Sequence, residues 1–94
     1  MNLAELRKRK AEILAIAARN GISDIRVFGS VARGDTTPES DVDLLVKVLP
    51  GTGIRFFGFG LEIEEALGCK VDVVSEKGVN VFMKERIFSE AVPL

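Results

Sequence analysis

The octapeptide DVDLLVKV, residues 41–48, decides how this chain folds. Side chains of an extended segment alternate between two faces, so Asp41 and Asp43 fall on one side while Val42, Leu44, Val46 and Val48 fall on the other. The four aliphatic residues predict a face buried against helices. The aspartates are left on an opposing, more open surface, with Cα atoms roughly 7 Å apart. Two carboxylates held this way suit a pair of Mg2+ ions roughly 3.5–4 Å apart, and without metal their mutual repulsion is a liability. Pro50-Gly51 stops the strand.

Reading outward, the stretch Lys70 to Ser75 repeats the pattern, with Asp72 facing away from Val71 and Val73. An aspartate in mid-strand is unfavourable by propensity, and a neighbouring strand carrying its own aspartate pair supplies a reason for it, because a third carboxylate completes a metal cluster. Upstream, Ile25 to Gly29 reads as a strand, and Val31 to Arg33 as the first turn of a short helix. Gly29-Ser30 stands at that junction. Glycine lets a phosphate approach the backbone, while the helix start and the Ser30 hydroxyl offer donors to it. Arg33, one turn further on, reaches toward a terminal phosphate with its two-pronged guanidinium. Each of these motifs is common at ordinary turns and strand starts; their order, and their placement on these elements, makes the set specific.

The remaining segments read as helices. The first runs from about Leu3 to Arg19, opened by a capping box of Asn2 with Glu5 and a staple of Met1 with Leu6, and closed by Asn20-Gly21. Leu3, Leu6, Ile13, Leu14 and Ala17 mark its apolar face, and the basic run Arg7 to Lys10 reads as a solvated face. A second runs from roughly Ile54 to Leu67 and ends at Gly68; Gly58 and Gly60 within it cost about 1 kcal/mol each relative to alanine, which predicts close packing or a contact surface there. A last helix spans Val81 to Glu90, with Asn80 as its cap and Pro93 beyond its end. The order αβαβαβα predicts an α/β (α+β) fold, a small mixed β-sheet with helices mainly on one face.

Composition narrows the chemistry. With 94 residues the chain is expected to form one domain, residues 1–94. It contains no histidine, which excludes serine–histidine and cysteine–histidine relays and most zinc sites. Cys69 is the single cysteine; it forms no intrachain disulfide and reads as a small half-buried hydrophobe near a helix end. Carboxylates are left as the bases. A net charge of −1 argues against a dedicated nucleic-acid surface. No apolar run approaches the ~20 residues that span a bilayer, and a cytoplasmic setting is the expectation.

The string GSVARGDTTPESDVDLLV, residues 29–46, followed by Asp72 on a later strand, resembles the DNA polymerase beta-like nucleotidyltransferase superfamily. It is similar in particular to the minimal branch, stand-alone nucleotidyltransferases of bacteria and archaea paired with HEPN-domain ribonuclease toxins. The resemblance implies the polymerase beta-like nucleotidyltransferase fold and binding of two Mg2+ ions by Asp41 and Asp43. Asp72 would complete one metal site and help deprotonate the acceptor hydroxyl. Gly29 and Ser30, with Arg33, would hold the triphosphate. It also implies ATP as donor, a tyrosine of a HEPN toxin as acceptor, an antitoxin role, and assembly with that partner as a hetero-oligomer. Two alternatives belong to other classes: an antitoxin that acts by binding alone, and a nucleotidyltransferase acting on a small molecule or an RNA end. Retention of all three mutually repelling aspartates speaks against the first. The second calls for a substrate domain or a basic groove.

Overall fold

The computed structural model describes residues 1–94. In chain order the elements are α1 (Leu3–Lys8), α2 (Lys10–Arg19), β1 (Ile22–Phe28), α3 (Gly29–Arg33), β2 (Val42–Val48), α4 (Arg55–Leu67), β3 (Val71–Ser75), a 3₁₀ turn (Glu76–Gly78), α5 (Val81–Glu90) and β4 (Val92–Pro93). The strands form one sheet in the order β3-β2-β1-β4. The β1–β2 and β1–β4 pairs are antiparallel and β2–β3 is parallel, so the sheet is mixed.

One face of the sheet carries the core. Ile25 and Val27 of β1, Val42, Leu44 and Val46 of β2 and Val71 of β3 join Leu6, Ile13, Ile16 and Ala17 from α1 and α2 and Phe59, Ile63 and Leu67 from α4 in a single apolar cluster. The alternation expected of residues 42–48 is therefore realised, and burial of this face supplies the main driving force for folding. The other face carries Phe28, Asp43 and Asp72 in one row and Arg26, Leu45 and Val74 in the next. Here α5 lies over the sheet: Arg26 stacks on Phe88, 5.0 Å from the ring centroid, and pairs with Glu76 at 2.7 Å. Leu45 is fully buried on this side, outside the main cluster.

Local signals set most of the helix ends. Asn2 and Glu5 form the capping box, Asn80 accepts from the Phe82 N–H at 2.9 Å, and Gly68 closes α4 with a left-handed φ of 68°. Cys69 is free and half-buried, as expected.

Several expectations are corrected. The first helix is two helices, broken at Arg9, whose backbone leaves helical geometry at φ −99°, ψ 11°. Beyond the break the apolar face turns: Ile16 is buried while Leu14 is exposed. The basic run is not simply a solvated face. Arg7 donates to Pro93 O at 2.7 Å and Leu94 O at 3.3 Å, and Arg9 donates to Ala66 O at 2.6 Å in the last turn of α4. These two guanidiniums tie the N-terminal helices to the chain's end and to a helix C-terminus, where backbone carbonyls lack partners. Residues 92–93 add a fourth strand where the chain was expected only to leave the helix, and Leu94 behind them is buried. Neither Gly58 nor Gly60 is closely packed: a Cβ at either would make only ordinary contact, with Asn20 or Val73.

Candidate active site

Gly29, Ser30 and Arg33 follow the C-terminal end of β1, and Asp41, Asp43 and Asp72 stand at the starts of β2 and β3. Antiparallel pairing sets Phe28 opposite Asp43, and parallel pairing sets Asp43 beside Asp72. The chain turns into α3 immediately after Phe28, at Gly29. That glycine has φ +72°, and a Cβ there would overlap the Asp43 carboxylate. Any other residue would be strained and would displace Asp43 as well. The Gly29–Asp43 contact is thus a requirement of shape in addition to its place in a motif.

The charges are crowded. The Asp43 carboxyl is pushed up from an ordinary 3.8 to about 6, first by burial and then by the negative charges of Asp72 and Asp41, with Arg33 opposing them. Asp41 stands one residue ahead of β2, and its carboxylate lies 3.9 Å from Lys70 Nζ. No three carboxylate, thiol or imidazole side chains are arranged here to hold an ion. Asp43 and Asp72 meet as register neighbours, while Asp41 affects Asp43 through its charge and is paired elsewhere. The donors are nonetheless all carboxylate oxygens, the ligand set of a hard cation such as Mg2+.

Two hollows open on this face and share Phe28, Asp43, Met83 and Ile87. One, of about 290 Å³, is completed by Gly29, Ser30, Arg33, Arg86 and Glu90. The other, of about 450 Å³, extends past Asp72 along Val73, Val74, Val79 and Asn80. Ser30 is among the residues that line the first hollow. Arg33 pairs with Asp35 at 3.1 Å and with Glu90 at 2.9 Å, and Asp35 chiefly raises its pKa above the ordinary value.

Sequence reasoning missed the contribution of α5. Met83, Arg86, Ile87 and Glu90 all line these hollows, and their spacing of i, i+3, i+4 and i+7 marks one helical face. That spacing was visible in the sequence; the surface it covers was not.

A small mixed sheet with an aspartate pair beside a glycine–serine turn defines the nucleotidyltransferase class. The nucleotidyltransferase domain model matches residues 9–94, and the chain belongs to that family. It is a nucleotidyltransferase. Among curated relatives it is 33% identical over 93 residues to MJ0435 of Methanocaldococcus jannaschii, a candidate protein adenylyltransferase, covering 98% of this chain and 97% of that one. It is also 33% identical over 76 residues to the protein adenylyltransferase MntA of Thermococcus cleftensis, covering 79% and 76%. Among solved structures, one described as a minimal nucleotidyltransferase superposes with a TM-score of 0.86 at 43% identity, covering 100% of this chain and 97% of its own. A toxin–antitoxin complex solved with AMP-PNP has a TM-score of 0.73 at 20% identity, covering 89% and 70%, which speaks to the fold alone.

Proposed function

We propose that this chain transfers AMP from ATP to a hydroxyl of a partner protein, a tyrosine of a HEPN-domain toxin, and thereby acts as its antitoxin. The observation that carries the reading is the pair of hollows meeting at Asp43, one lined by Gly29, Ser30 and Arg33 and the other by Asp72. A transfer between two substrates needs a donor site and an acceptor site that converge on the reacting atoms. Full-length similarity to a candidate protein adenylyltransferase supports a protein as acceptor. Toxin–antitoxin complexes solved for chains of the same fold suggest the kind of partner to test.

Asp41, Asp43 and Asp72 would hold Mg2+, which when bound supplies charge stabilisation for the attacking and leaving oxygens. Asp41, one residue ahead of β2, pairs with Lys70 at 3.9 Å, an exposed interaction of small worth that its part in holding the ion would displace. Gly29 and Ser30 hold the triphosphate through the backbone N–H and the hydroxyl, and Arg33 neutralises its outer charge. Asp72, on the acceptor side, orients the tyrosine hydroxyl and takes its proton. The hydroxyl oxygen then bonds to the α-phosphorus as the bond to the β-phosphate oxygen breaks, and pyrophosphate leaves toward Arg33. The apolar lining by Val73, Val74 and Val79 suits an aromatic acceptor side chain.

The test is incubation with α-labelled ATP, Mg2+ and the product of the adjacent gene. Label on a tyrosine of that protein, lost with Asp43→Ala, is the expected result. If the intact chain neutralises the toxin without transferring label, the binding-only alternative replaces this reading.

A further inference from the structure

The donors assigned to the triphosphate are already engaged. Gly29 N–H donates to Glu90 Oε1 at 2.6 Å, and Arg33 Nη1 donates to the same oxygen at 2.9 Å. A backbone N–H and a guanidinium converging on one anionic oxygen is how a phosphate oxygen would be held. The Glu90 side chain is only 18% exposed. Its position also runs against the helix dipole: Glu90 is the last residue of α5, where a negative charge is unfavourable, and no basic residue occupies that last turn. The contact with Gly29 and Arg33 gives a carboxylate there its compensation.

We propose that Glu90 sets the nucleotide affinity of this site by competing with the triphosphate for Gly29 and Arg33. The inference rests on the nucleotide-binding reading above. The backbone around Glu90 is held: Val92 and Pro93 pair with Val27 and Arg26, Leu94 is buried, and Arg7 bonds both terminal carbonyls. Rotation of the Glu90 side chain about its own bonds therefore releases the Gly29 N–H and Arg33 Nη1, while Arg33 Nε stays paired with Asp35 at 3.1 Å. When it swings away, the Nη1 end of Arg33 is freed toward the first hollow, which Arg86 also lines. One anion is exchanged for another, and two cations then bracket the phosphates.

The test measures ATP binding in the presence of Mg2+ by calorimetry for the wild type, Glu90→Gln and Glu85→Gln. Glu85 is exposed on the same helix, so its variant controls for net charge alone. Glu90→Gln is expected to bind ATP about tenfold more tightly, because a charge-assisted pair of hydrogen bonds no longer has to be broken. Glu85→Gln is expected to match the wild type. Equal or weaker binding by Glu90→Gln would overturn the inference and make Glu90 a strut that positions Arg33. A wild type that binds no ATP would instead overturn the reading of the site, and the inference with it. Should Glu90→Gln fail to fold, carbon NMR of the wild type decides: the Glu90 carboxyl resonance is expected to move on saturation with ATP. An unmoved resonance at saturation would refute the competition.

Discussion

The two faces of the sheet are built from alternate residues of the same strands yet obey different rules. Toward α1, α2 and α4, Val42, Leu44 and Val46 are wholly buried, and every contact there favours folding. Toward α5, Asp43 and Asp72 lie side by side, and Gly29 closes on a carboxyl pushed up to about 6. One face maximises stability; the other holds like charges together at stability's expense. Neighbouring residues on β2 therefore report on different properties, and substitutions at adjacent positions separate fold from function.

The sharpest contrast is Leu44 against Asp43. Leu44→Ala is expected to lower unfolding free energy by about 2–5 kcal/mol through the cavity it leaves, read as a lowered denaturant midpoint. Asp43→Ala is expected to cut transfer by more than about 100-fold, beyond the loss seen when only a ligand's supporting partner is removed, with the midpoint undiminished. If Asp43→Ala unfolded the chain as severely as Leu44→Ala, the distinction between the faces would fail.

A smaller effect tests the charge directly. Between pH 3.8 and about 6 the folded chain keeps a proton on Asp43 that the unfolded chain releases. Stability from this group is therefore full below 3.8 and lost as pH rises through about 6. In metal-free buffer at pH 7, Asp43→Asn is expected to melt higher than the wild type, by the equivalent of about 1 kcal/mol after allowance for solvent screening. The gap should close toward pH 3.8. Saturating Mg-ATP should reverse the order, since binding at a hundredfold excess over Kd adds about 2.7 kcal/mol to the native state and the intact cluster binds best. A wild type whose melting ignores both pH and Mg-ATP would remove the electrostatic account of this face.

The smallest effect belongs to Ser30. Ser30→Ala removes one neutral donor, so nucleotide use is expected to fall by about 1 kcal/mol in kcat/KM, far less than with Asp43→Ala. Parity between the two would mean that Ser30 does more than donate a hydrogen bond.

Much of this was legible because it is local. Alternation along residues 41–48 assigned the two faces of β2, the Asn2–Glu5 box and the Asn80 cap marked where helices begin, and Gly68 marked where α4 ends. These signals act within one or two turns of chain and depend little on what packs around them. The candidate site was legible for a related reason: aspartates in strands and a glycine at a strand–helix junction are locally unfavourable, and such conflicts mark residues as candidates for chemistry.

What the linear pattern could not hold were pairings between distant segments. The break at Arg9 accompanies a guanidinium reaching Ala66, 57 residues away. The strand at Val92–Pro93 exists only because β1 offers it an edge, and two residues carry no periodicity to read. That Asp72 joins the aspartate pair was expected from the sequence; that it stands directly beside Asp43 follows from the parallel register of β2 and β3, which no spacing specifies. Glu90 reaches Gly29 because α5 crosses the aspartate face. Alternation, capping and turn chemistry are properties of the chain itself, so the sequence alone determined the elements and the chemical character of each face. The register that sets Asp72 beside Asp43, and the carboxylate that sits on Gly29 and Arg33, depend on contacts whose energies appear only once the elements pack together, and the tertiary structure alone decided them.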